Sequence, residues 1–218
     1  MIGGWHVTTR RASAAELHGR VPTGEVRSAE WFEVTAPALV LGSAQRDDVV
    51  ETAACEAAGV DVVRRRSGGG VVLLVPGECL WLDVVVPRDD PRWDDDVARA
   101  MWWLGEVWCE ALAAVDVADA TVHRGALVHT EWSRLVCFDG LGSGEVVVGD
   151  RKVVGISQRR TRSWLRLQSS VHLAWRPELL VSLLAPPAPT AAELRAPVCA
   201  DVPPAVLRAA VEAALATR

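Results

Sequence analysis

The sequence predicts an α+β domain, and three observations predict it. Short runs of Val and Leu recur between Gly, Pro and Asp punctuation, as strands do. Residues 93–115 carry Val97, Met101, Leu104, Trp108, Leu112 and Val115 at three- and four-residue steps, the spacing of a buried helical face. Three shorter segments, residues 47–58, 177–184 and 205–216, read as helices placed among and after the strands.

Residues 1–30 mix Arg, Glu, Gly and Pro without a period and are expected to wrap the surface. Residues 31–34 and 38–41 fit strands on either side of Pro37. Asp47 and Asp48 suit the positive end of a helix dipole, and Gly59 supplies its stop. Residues 60–63, 71–75 and 79–86 are further strands, the last apolar and expected to be buried on both faces apart from Asp83. The long helix follows, with Asp94, Asp95 and Asp96 at its start and Trp102, Trp103 and Trp108 expected to cover sheet rather than frame a cofactor. Residues 121–123, 135–138, 145–148 and 152–154 are read as strands, with Gly149-Asp150 a hairpin turn, and residues 163–175 stay extended. Residues 1–184 are assigned to one domain. Residues 185–218 are a Pro- and Ala-rich linker and a closing helix packed on it.

Half of the residues are apolar and 23% are charged, a globular composition, and the net charge of -5 argues against nonspecific binding to nucleic acid. The odd count of five cysteines, with no CxxC pair, fits reduced thiols in a cytoplasmic protein rather than a disulfide frame or a zinc site. No signal-peptide order opens the chain, and the most apolar stretches are broken by Glu78, Asp83, Glu106 and Glu110, so no membrane span is expected.

Lys152 stands out because arginine fills every other basic position. A compact, rotatable ammonium suits a developing oxyanion or a phosphate better than a fixed guanidinium fork does. The plainer reading is a surface lysine beside a turn. The run Arg64-Arg65-Arg66-Ser67-Gly68-Gly69-Gly70 is the second candidate. Consecutive glycines suggest backbone that approaches something closely, and N–H groups beside arginines suit an anionic ligand; a tight hairpin is the alternative. His123, His129 and His172 show no ligand spacing and are read as structural.

These residues resemble a known family. Residues 62–70 look like the Arg-Arg-x-Ser-Gly-Gly-Gly signature of the lipoate-protein ligase and octanoyltransferase family, and residues 37–45 resemble the strand and turn before it. Residues 149–158 are similar to its Gly-Arg-Lys block, whose catalytic lysine falls on Lys152. The resemblance implies a mixed, largely antiparallel sheet flanked by helices, as in biotin and lipoate protein ligase catalytic domains. It implies attachment of lipoate or octanoate to a lysine of lipoyl domains of 2-oxoacid dehydrogenase complexes or of a glycine-cleavage carrier protein. Arg65, Ser67, Gly68, Gly69, Gly70, Val71, Val72, Gly155, Ile156 and Ser157 would bind the acyl or adenylate group, with no bound metal among the site residues. Residues 71–74 and 84–86 would wall an apolar slot for the chain.

Two routes fit the family. A ligase uses ATP and Mg2+ to make an acyl-adenylate; one transferase branch takes the acyl group from acyl carrier protein onto a cysteine. Cys137, fifteen residues before Lys152 with Glu145 between them, resembles the cysteine of that branch. A buried apolar thiol is the plainer reading. Two elements depart from the family: Leu73-Leu74-Val75 stands where it carries an aromatic-His-Asp run, and Gln168-Ser169-Ser170 where it carries His-Gly-(Ser/Thr). A catalytically silent module that binds lipoate, octanoate or their carrier is therefore the alternative from another class.

Overall fold

The computed structural model describes residues 1–218. Ten strands form two sheets. The larger contains β1 (His6–Ala12), β2 (Ser28–Val34), β6 (Cys79–Pro87), β7 (Ala120–Val122), β8 (Val146–Val148), β9 (Arg151–Arg160) and β10 (Trp164–His172), in the spatial order β1-β2-β6-β10-β9-β8-β7. Only β1 and β2 run parallel, so this sheet is mixed and largely antiparallel. The smaller contains β3 (Ala38–Leu41), β4 (Asp61–Arg64) and β5 (Val72–Leu74) in the order β4-β3-β5. Because β3 lies between β4 and β5, the glycine run joining those two strands is a crossover loop and not a tight hairpin.

The two-residue period of β10 sorts its side chains between two environments. Leu165, Leu167, Ser169 and Val171 point into the main core, under α3 (Trp102–Ala113) and α5 (Pro204–Ala216). Arg166, Gln168, Ser170 and His172 occupy the other face. Trp108 anchors α3 there: its indole N–H donates to the Ser169 hydroxyl at 2.9 Å, which satisfies both polar groups in an otherwise apolar layer. On the opposite face, Phe32 and Trp81 pack with Val40 and Leu74 of the small sheet and with Leu17 of α1 (Ala14–Gly19). A third core, including Leu39, Leu41, Val71 and Val136, joins the small sheet to α2 (Thr52–Ala58) and α4 (Pro177–Ser182).

Several expectations need correction. The amino-terminal segment is structured: Trp5 is fully buried, β1 pairs with β2, and α1 opens on a capping box between Ser13 and Glu16. The helix expected over residues 93–115 begins only at Trp102, after a 3-10 turn at Arg99–Met101, because the Asp96 carboxylate accepts the N–H groups of Ala98 and Arg99 and holds that approach in a turn. The helix expected from Asp47 is a 3-10 turn, then a break where Val50 bridges to Leu184, then α2, whose stop is Gly59 at φ +64°. Residues 135–138 are not a strand. Val136 makes a single bridge to Val71, and Cys137–Asp139 form a 3-10 turn. Asp83 is no exception to burial, since it meets Arg166 in an ion pair with both side chains under 5% exposed. No helix is long and apolar enough to cross a membrane.

Candidate functional site

The cleft between the two sheets holds about 480 Å³, partly open to solvent. Its floor is the face of the large sheet that carries Trp81, Ser170, Gly155 and Ser157, and its roof includes Val40, Val72 and Leu74. At one end stand Cys137, Phe138 and Glu145; at the other, His18 lies against Trp81 with ring centroids 4.4 Å apart.

Behind Cys137 and Phe138 lies Lys152, held by the hairpin at Gly149, whose φ of +63° suits glycine. Its residue is only 5% exposed, which excludes the surface reading. The ammonium donates to the Cys137 carbonyl at 2.8 Å and pairs with the Glu145 carboxylate at 2.8 Å. It also sits 5.2 Å from the centre of the Phe138 ring. Glu145 in turn accepts N–H bonds from Gly142 and Ile156, so both its oxygens are engaged. Lys152 does not itself line the cleft; Cys137, Phe138 and Glu145 form the layer in front of it.

The glycine loop is braced from within. Arg65 donates to the carbonyls of Val40, Gly68 and Gly70, so its guanidinium fixes the loop rather than projecting freely. Gly69 has φ +101°, and a Cβ there would stand 2.7 Å from Arg65 Nη2 and 3.2 Å from Cys137 Sγ. The loop thus lies against the thiol. Gly69→Ala is expected to cost about 1–3 kcal/mol of stability and to displace the thiol. Chemical denaturation, together with the rate of Cys137 alkylation by iodoacetamide, checks it; unchanged values in both would mean the loop tolerates a side chain there.

Of the residues expected to bind the acyl group, Arg65, Val72, Gly155, Ile156 and Ser157 line the cleft. Ser67 reaches Ser157 through a 3.0 Å hydroxyl contact, whereas Gly68, Gly69, Gly70 and Val71 stand behind the lining, Val71 in the third core. The expected walls at residues 84–86 lie elsewhere: Val84 and Val86 face the helix-covered core, because Trp81 and Asp83 take the cleft side of β6. Trp81, Val40 and His18 replace them. Arg159 also escaped the sequence reading. Its Nη1 is buried without a partner near Arg66, leaving positive charge close to Ser157.

A model of the lipoyl protein ligase A/B catalytic domain matches residues 12–202. The chain belongs to this family. Over 147 residues it is 25% identical to octanoyltransferase LipM of Clostridioides difficile (strain 630), an overlap covering 67% of this chain and 54% of that protein. The chain therefore spans about half the length of that curated relative. Its fold is that of lipoate-protein ligase A solved with ATP, at a TM-score of 0.71, 17% identity, and coverage of 97% of this chain and 83% of that one. The bi-partite lipoate protein ligase of Thermoplasma acidophilum, described with its E2 lipoyl domain, matches at a TM-score of 0.68 and 16% identity, covering 97% and 84% of the two chains.

Two buried histidines flank the site of this lipoyl protein ligase family member. Burial, reinforced by Arg65 and Arg166, lowers His18 to about 3; burial, reinforced by Lys152, lowers His172 to about 4. Both are neutral in the folded state and gain protons in the unfolded chain near pH 6.5. Stability contributed by neutral burial is therefore complete above that pH and lost as pH falls, by about 1.4 kcal/mol per pH unit for each histidine until it titrates in the fold. Urea melts between pH 7 and pH 4.5 check this, and a flat profile would contradict it.

Proposed function

We propose that the protein transfers an eight-carbon acyl group, octanoyl or lipoyl, to a lysine of a lipoyl carrier domain, with Cys137 carrying the group as a thioester. The observation that carries the reading is Cys137 on the cleft wall, its thiol against the glycine loop, with Glu145 on the same wall and its partner Lys152 behind both. Thiolate is the attacking form of a cysteine nucleophile. Attack on a donor thioester forms the Cys137 acyl-thioester and expels the donor thiolate. The acceptor amine, as the free base, then attacks the same carbonyl, the C–N bond forms, the C–S bond breaks, and the amine's proton passes to the departing Cys137 sulfur. Negative charge on that oxygen rises in each transition state, and the Lys152 ammonium, one layer behind the cleft lining, acts on it at a distance rather than by direct contact.

The likeness to an octanoyltransferase supports the thioester route, and the ligase described with its E2 lipoyl domain supports such a domain as acceptor. Glu145 is the only carboxylate lining the cleft and is committed to Lys152. That lining does not fit a magnesium-bound nucleotide, so no step through ATP or Mg2+ is derived. The paired lysine argues against a silent binding module, since a buried Lys–Glu pair beside a thiol exceeds what holding a carboxylate requires.

Intact-mass measurement decides. An apo lipoyl domain is incubated with the protein and either octanoyl-acyl carrier protein or lipoate with ATP and Mg2+. The proposal expects an adduct in the first mixture. An adduct only in the second establishes the ligase route, and none in either favours the binding module.

A further inference from the structure

The end of the cleft opposite Cys137 has its own chemistry. Ser170 pairs with Gly155 on β9 and with Trp81 on β6, so three lining residues form one row across the sheet. Gly155 adjoins Phe138 and Glu145, at the thiol end. Two strand spacings of about 4.8 Å put the ends of the row roughly 10 Å apart. An eight-carbon chain, seven C–C bonds of about 1.5 Å in zigzag, advances about 9 Å. A chain of that length laid along this row from the Phe138 end, where Cys137 also lines the cleft, reaches Trp81.

His18 stands there. It is 8% exposed, lines the cleft, and its Nδ1 is buried with no hydrogen-bond partner. Arg65 and Arg166 flank it, but they carry only donors, directed to backbone carbonyls and Asp83. Val40, Leu74 and the Trp81 indole face provide no partner, and of the polar lining nearby Gln168 donates to Asp83 and Ser170 makes no hydrogen bond to the imidazole. A buried polar nitrogen without a partner is unfavourable. An alkyl terminus would leave it so, whereas a sulfur or oxygen near the chain end would relieve it.

We infer that His18 is a specificity-determining residue, selecting acyl chains that carry a hydrogen-bonding heteroatom at the far end, such as a dithiolane sulfur or a terminal hydroxyl, over plain octanoyl. This rests on the acyl-transfer reading and adds the class of chain. The neutral imidazole presents one donor and one acceptor, so it serves either heteroatom.

Calorimetric binding of octanoate, 8-hydroxyoctanoate and lipoate to the intact protein tests it. The wild type is expected to bind the two functionalised acids about tenfold more tightly than octanoate. His18→Leu is expected to abolish or invert that preference, and His18→Gln, which restores a hydrogen-bonding group, to retain part of it. Thermal melts of both variants verify folding, and should His18→Leu fail to fold, the wild-type ratio and His18→Gln carry the test. Equal affinities in the wild type, or a preference that His18→Leu leaves unmoved, would overturn the inference while leaving acyl binding intact. If none of the three acids bound, the inference would be overturned, while acyl transfer from a thioester donor would stand or fall on the intact-mass measurement.

Discussion

Cys137→Ser is expected to fold normally and to lose acyl transfer from a thioester donor by at least about 10³-fold, the scale on which removal of a covalent nucleophile is felt. The substitution is nearly isosteric and touches no hydrogen bond that holds the site together, because Lys152 and Val71 engage the Cys137 backbone rather than its side chain. Loss of activity with an unchanged melting profile therefore isolates the chemistry of sulfur. Single-turnover transfer from octanoyl-acyl carrier protein measures it. Full activity in the serine variant would return Cys137 to the role of a small packing residue.

The second large effect lies in the buried pair behind it. Lys152→Met is expected to destabilise the fold by about 3–5 kcal/mol, because Glu145 is left ionised and unpaired in a site where both side chains are under 7% exposed. Adding Glu145→Gln should recover most of the stability without recovering activity. Lys152→Arg keeps the charge but replaces a point donor with a planar fork; it should stay folded and lose rate by about 10²-fold or more. Urea denaturation and single-turnover rates on the same four proteins separate the structural role of the ammonium from its catalytic one. A variant series in which rate simply follows stability would contradict a catalytic part for Lys152.

The strands around the site were legible because they are buried on both faces, so apolar runs marked residues 38–41 and 79–86 without ambiguity. β1 was not, since it lies at the sheet edge with largely exposed side chains and is held by its ladder to β2. The helix after it left a usable signal in Ser13-Ala14-Ala15-Glu16, and that capping box would have introduced His18. The short run Leu135-Val136-Cys137-Phe138 reads as strand by composition, yet Val136 serves the third core while Phe138 turns to meet His172 edge to face. Periodicity cannot separate these outcomes over four residues. At the site, composition singled out Lys152, and the hairpin signal at Gly149-Asp150 located it in β9. Its partner Glu145 was invisible as such, because the pairing depends on the register shift between β8 and β9 near Val146 and Val147.

The central claim is that the acyl group passes through Cys137. Its most direct measurement is peptide mass spectrometry of the protein quenched in acid during turnover with octanoyl-acyl carrier protein. The account predicts an octanoyl adduct confined to the peptide containing Cys137, removed by neutral hydroxylamine and discharged when an apo lipoyl domain is added. A lipoyl domain that becomes modified while Cys137 never carries an adduct would contradict it.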